Sequence, residues 1–137
     1  MTSEFSTKVY TDGSSIGNPG PSGWAFSYEE NGTRTIVSGG ESCSTNNRME
    51  LLAVIESLEW LSGRDILIVS DSLLTIRIGR GEWKRKSNLD LWSRFDLAKA
   101  DRKVMWEWVK AHSGNVFNDE VDEAARAEAR LISEGAP

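Results

Sequence analysis

The chain has 137 residues, of which 39% are hydrophobic and 27% charged, with a net charge of −5 and a single cysteine, Cys43. That length suits one domain spanning residues 1–137 and is short for two. No apolar run approaches the length of a membrane span, one cysteine cannot build a disulfide framework, and the start MTSEFSTK lacks the regions of a secretory signal. A cytoplasmic setting is expected.

The first element is TKVYTDG, in which Val9 and Thr11 alternate with Tyr10 and Asp12, a strand expected to end at Gly13. Its acid, Asp12, sits where apolar sequence gives way to glycine, serine and proline. Two further strand-like runs follow in SGWAFSYEENGTRTIVSGGES, joined at Asn31-Gly32, a pair that tolerates the positive φ angles of a tight hairpin. Three antiparallel strands are therefore expected first. Residues 45–61 have helical spacing, with threonine and asparagines available as caps. DILIVSD is a short buried strand closing on Asp71. A weaker helical piece (73–78), the basic stretch RGEWKRKS, a helix capped by Asn88, a fifth strand in VMWEWVKAH and a last helix capped by Asn118 complete the chain. The order β-β-β-α-β-α-α-β-α predicts an α/β fold, a mixed five-stranded sheet with flanking helices.

Charge is unevenly spread. Residues 74–110 hold ten basic and five acidic side chains, a local net of +5, while the remainder carries −10. Such a basic third suits a phosphate-bearing partner or a solvated helix surface, and charge alone leaves both open.

Four acids share a directional logic. Asp12 and Asp71 each close an apolar strand, and in α/β sheets functional groups gather in the crevice beyond strand ends. Glu50 begins a helical stripe through Ala53, Val54, Ser57 and Leu61, so it faces the sheet. Asp122 shares a stripe with Ala125, Ala129 and Ile132; dipole complementation is its bland alternative, and the whole expectation for Asp119 and Glu120. Two ionised carboxylates about 4 Å apart repel by roughly 4 kcal/mol at an effective dielectric near 20. Converging acids therefore require protons or cations. An all-oxygen set points to Mg²⁺ or Mn²⁺, and two such ions are equipment for in-line displacement at phosphorus.

At this point the chain resembles a type 1 ribonuclease H. YTDGSSIGNPGPSGWA, TNNRMELLAVIESLEWL, IVSDS, NLDLWSRFD, WEWVKAHSGN and NDEVDEAAR occur in that family's order and cover roughly residues 8–132. The resemblance implies a ribonuclease H-like sheet, three antiparallel strands followed by two parallel additions. It implies hydrolysis of the RNA strand of an RNA–DNA hybrid, leaving 5′-phosphate and 3′-hydroxyl ends. It makes Asp12, Glu50, Asp71 and Asp122 the ligands of two metal ions, with Asp12 touching both. His112 matches a mobile loop histidine that shuttles protons or assists product release.

Further matches concern substrate. Asn18 and Asn47 match minor-groove contacts, and Thr45 and Asn46 match a pocket for a DNA-strand phosphate, although capping would also explain TNN. Trp83, Lys84, Arg85 and Lys86 combine an indole with three cations, a composition suited to a sugar-phosphate backbone. Two departures accompany the likeness. IGRGEWKRKSNLDLW passes almost directly into the next helix where many bacterial members carry a longer basic protrusion, and Leu73 stands where the family often has an amide.

The rival expectations are a related nuclease acting on another nucleic acid, a non-catalytic hybrid-binding module, and a detached domain of a reverse transcriptase. The full set of four acids argues against the second. A start at Met1 without linkers favours a free-standing enzyme, expected to be monomeric.

Overall fold

The computed structural model describes residues 6–135. Five strands, β1 (Thr7–Ser15), β2 (Gly20–Glu30), β3 (Thr33–Ser44), β4 (Ile66–Ser70) and β5 (Val104–Trp108), form one sheet in the order β3-β2-β1-β4-β5. The β1–β2 and β2–β3 pairs are antiparallel, whereas β1–β4 and β4–β5 are parallel. The expected α/β class and mixed sheet are thus borne out. Asn31 and Gly32 turn the β2–β3 hairpin with φ of 53° and 79°, the left-handed values that this pair accommodates.

Alternation along the strands separates two layers. Val9, Phe26, Ile66 and Ile68 face a large core completed by α1 (Asn46–Trp60), α2 (Leu73–Gly79) and α3 (Leu89–Lys99). Tyr10, Ala25 and Val69 face α4 (Val116–Ser133), which contributes Val121 and Ala125. The stripe expected on α1 is observed, since Glu50, Ala53, Val54, Ser57 and Leu61 are all buried. So is the small-residue stripe of α4. Its Ala125 carbonyl lies so near Gly23 of β2 that a Cβ there would stand 2.2 Å from it.

Four local expectations are corrected. β1 continues to Ser15 against β2, and only its pairing with β4 stops early, at Tyr10 opposite Val69, so Asp12 lies within a strand. Asn88 occupies the cap position of α3 in a left-handed conformation (φ 55°) without a side-chain cap bond; its Oδ1 accepts from Arg48 instead. The cap of α4 is Asn115, whose Oδ1 accepts from the Asn118 amide, placing Asn118 inside the helix. β5 ends at Trp108: Val109 N–H donates to the carbonyl of Ser70, the last residue of β4, and beyond it no partner strand remains among the described residues. His112 therefore lies outside the sheet.

Among the described residues, the arginines of the basic third are engaged inside the protein, and its lysines are not. Arg77 and Arg80 pair with Glu82, Arg85 with Asp96, and Arg94 with Glu56 and Glu59. Arg102 donates to the carbonyls of Leu58, Leu61, Arg64 and Ala98, closing the end of α1 against α3. The lysines of this region, Lys84, Lys86, Lys99, Lys103 and Lys110, form no ion pair among the described residues. Arginine's planar fork suits fixed pairing, while lysine remains a mobile charge in water.

Candidate active site

The parting of β1 from β4 creates the site. In their parallel register Tyr10 stands opposite Val69, so two residues farther along Asp12 comes opposite Asp71, just past the end of β4. α1 adds Glu50, one turn in from its start, because Gly13 has no side chain: a Cβ there would stand 2.4 Å from the Glu50 nitrogen and the Met49 carbonyl carbon. Oxygens of Asp12, Glu50 and Asp71 consequently lie within 4.8 Å of one another. Asp122 lines the same cleft of about 730 Å³ from α4 but stands outside this close triad, with Oδ1 accepting from Arg126 Nε at 3.2 Å.

Burial and mutual repulsion set the electrostatics. Asp12 is 3% and Glu50 6% exposed. Burial above all, then the Asp71 charge and the neighbouring Asp122 carboxyl, pushes the Asp12 carboxyl up to about 8, against the Glu50 carboxyl beside it and a backbone hydrogen bond from Gly13 N–H at 2.9 Å. Burial, followed by the charges of Asp12 and Asp71, also lifts Glu50 well above the usual carboxylate range. Asp71 is raised by burial and by Asp122, while a hydrogen bond from Asn118 and the nearby His112 oppose the shift.

The triad fits a hard cation. Asp12 Oδ2 and Glu50 Oε1 are buried with no protein donor directed at them, lone pairs open to a shared proton, water or a metal ion. The donors are all oxygen, and Cys43 is exposed on β3, away from the cleft lining.

The remaining sequence-derived residues spread around this centre. Asn18 Oδ1 accepts from the Asn46 amide at 3.0 Å, fastening the loop after β1 to the start of α1. Thr45 caps α1 by accepting from Arg48 N–H at 3.3 Å. Asn46 and Asn47 are exposed and line the cleft. His112 is exposed in the turn before α4, with φ 56°. Trp83, Lys84 and Lys86 line a second cavity beside α2, whereas Arg85 commits its guanidinium to both oxygens of Asp96 (2.7 and 2.8 Å) and lies over the Trp92 ring. Glu120, expected only to complement the α4 dipole, pairs with Arg34 at 2.6 Å.

Two participants escaped sequence reasoning. Asn118 is 1% exposed, and its Nδ2 approaches Asp71 Oδ2 at 3.5 Å. Arg126 holds Asp122. Both lie four residues from Asp122, a spacing that puts them on its helix face and is legible in the sequence.

Comparison with known proteins points in one direction. A family model described as RNase H matches residues 4–130. The ribonuclease H of Maricaulis maris is 40% identical over 141 aligned positions, covering 89% of this chain and 94% of that protein. An Escherichia coli ribonuclease H is 38% identical, covering 89% and 88% respectively. Among solved structures, the N-terminal RNase H domain of a Mycobacterium tuberculosis protein superposes with a TM-score of 0.82 at 26% identity, covering 96% of this chain and all of that one. LC11-RNase H1, solved in complex with an RNA/DNA hybrid, gives a TM-score of 0.80 at 23% identity over 96% and 99%, a likeness of fold.

Proposed function

The chain belongs to the ribonuclease H family of metal-dependent endonucleases, and on that premise we propose that it hydrolyses the RNA strand of RNA–DNA hybrids, leaving 5′-phosphate and 3′-hydroxyl ends. The observation that carries this reading is the triad of buried Asp12 and Glu50 with half-buried Asp71, and its two donorless oxygens, at the fork of β1 and β4. Asp12, Glu50 and Asp71, joined by Asp122 from α4, would hold two Mg²⁺ or Mn²⁺ ions. When bound, such ions activate water at neutral pH and neutralise charge developing on the leaving oxygen. Asn18, Thr45, Asn46 and Asn47 border the substrate groove, where amides can donate to and accept from 2′-hydroxyls and base edges. The chain acts as one catalytic unit and a monomer, and no helix among its described residues is long and apolar enough to cross a membrane.

The test is an assay on labelled hybrid, duplex DNA, duplex RNA and single strands, with Mg²⁺, with Mn²⁺ and in chelator. Cleavage of the RNA strand of the hybrid alone, only with metal, is expected. Robust cleavage in excess chelator, or preference for another duplex, contradicts the proposal.

His112 belongs to proton movement: it is exposed, outside the triad and close enough for its charge to act on Asp71. His112→Ala is expected to slow kcat by roughly ten- to a thousandfold, because water partly replaces a proton shuttle. Metal affinity should be unchanged. Total loss of metal binding in the folded variant would make His112 a ligand.

Trp83, Lys84 and Lys86 serve binding, and Arg85 fixes their segment to α3 through Asp96. Replacing both lysines by alanine removes interactions equal in ground and transition states, so KM should rise at nearly constant kcat. The log–log salt slope of hybrid binding should flatten by about one unit for each phosphate that the variant no longer neutralises. Unchanged KM and slope would reduce the segment to a surface loop.

A further inference from the structure

Beside the carboxylate cleft lies a second cavity of about 570 Å³, bounded by α1, α2, the start of α3 and the segment between α2 and α3. Asn47 and Leu74 line both spaces, so the two adjoin. The floor is apolar: Leu51 and Trp92 are 2% and 3% exposed yet contribute to it, together with Ile78. Over it stands Trp83, 49% exposed, with the Arg77 guanidinium 5.2 Å from its ring centroid. Lys84 and Lys86 border the opening without ion-pair partners among the described residues. The one acid at the rim, Glu82, is engaged by Arg77 and Arg80.

We propose that this cavity receives one unpaired nucleotide of the DNA strand, its base in the cavity and its phosphate between Lys84 and Lys86. The inference rests on the hybrid-cleaving reading above, which seats the RNA strand on the carboxylates and leaves the other side of Asn47 and Leu74 to the uncleaved strand. The volume lies within the usual range of ligand pockets, about 300–1,000 Å³. An indole wall over an apolar floor offers stacking to any base, and the Asn47 amide, with the Nδ2 of Asn88, can meet a base edge. A deoxyribose suits this lining because it has no 2′-hydroxyl for Leu51, Leu74 or Ile78 to leave unsatisfied. Two ammonium groups at an opening whose one acid, Glu82, is already paired complement a phosphate.

Two measurements test it without requiring cleavage. In EDTA, titration of the ¹⁵N-labelled protein with dTMP should move the Trp83 and Trp92 indole signals saturably, inorganic phosphate alone should not, and Ser87→Trp, which plugs the mouth, should abolish the response. Indole signals unmoved by dTMP overturn the proposal. In the Asp12→Asn chain with Mg²⁺, a hybrid with a single unpaired dT, scanned along the DNA strand, should bind roughly tenfold tighter at its best position than the fully paired hybrid. Ser87→Trp should remove that gain and keep the paired affinity. Equal affinities at every position overturn the proposal even if dTMP binds, marking a site for free nucleotide. Failure to cleave paired hybrid counts against the proposed activity alone, since neither readout depends on turnover.

Discussion

Asp12→Asn is expected to abolish hybrid cleavage and at the same time to raise the melting temperature of the metal-free protein. The loss of turnover should reach three orders of magnitude or more, roughly 4 kcal/mol of transition-state stabilisation, because the amide removes the charge at the centre of the triad. The gain in stability has the opposite cause. Without metal, Asp12 shares a buried space with Glu50 and Asp71, and folding raises its pKa from 3.8 to about 8. The folded state therefore binds more protons than the unfolded one between these values. Stability from this group is complete below about pH 4 and disappears as the pH rises through about 8. Glu50 shifts in the same direction and adds to the trend. Melting in EDTA should thus fall from pH 5 to pH 8, and Asp12→Asn should flatten that decline. At pH 8 the variant should gain about 1–3 kcal/mol, or roughly 3–10 °C. A melting temperature independent of pH, or lower in the variant, would show that these carboxylates do not strain the metal-free fold.

Gly13→Ala should damage folding and catalysis together. The added methyl would stand 2.4 Å from the Glu50 nitrogen and the Met49 carbonyl carbon, both backbone atoms, so relief requires the first turn of α1 to withdraw from β1. Overpacking of this kind costs about 1–3 kcal/mol. That movement also carries Glu50 away from Asp12, and a misplacement of about 1 Å in a catalytic array can cost on the order of 10²-fold in rate. Calorimetry should show a melting temperature lower by several degrees. Kinetics recorded well below it should show reduced kcat, with metal affinity weakened in parallel. A folded variant with unaltered metal affinity and kcat would mean that the close approach of α1 to Gly13 does not set the spacing of the acids.

Local periodicity carried most of the fold. The stripe from Glu50 to Leu61 and Ala125 and Ala129 after Asp122 report which side of each helix is buried, and both are buried as expected, while alternation in VYTDG separates two faces that are both covered. The same patterns marked acids that turn inward. They said nothing about where an element stops when its neighbour decides the matter. β1 outlasts its pairing with β4 because β2 continues beside it, whereas β5 stops once β4 has ended.

Polar residues with two possible jobs were the least legible. Asn118 reads as a cap because asparagine caps well, yet Asn115 performs that task and Asn118 turns to Asp71, 47 residues away in the chain. Arg85 reads as one cation in a run until α3 presents Asp96 to it. Glu120 reads as a dipole partner until β3 brings Arg34 alongside.

The sequence by itself determined the class of fold, the order of its elements, the inward face of Glu50 and the place of Asp12 and Asp71 at the ends of apolar runs, because an apolar pattern fixes a side chain's facing within its own element. It left Asp122 between the sheet and the helix dipole. Only the tertiary structure decided which of these acids meet, that Asp122 borders the triad while pairing with Arg126, and which cations remain free for a partner. Those outcomes depend on strand register, on the missing side chain of Gly13 and on ion pairs between distant segments, distances that exist only once the chain has folded.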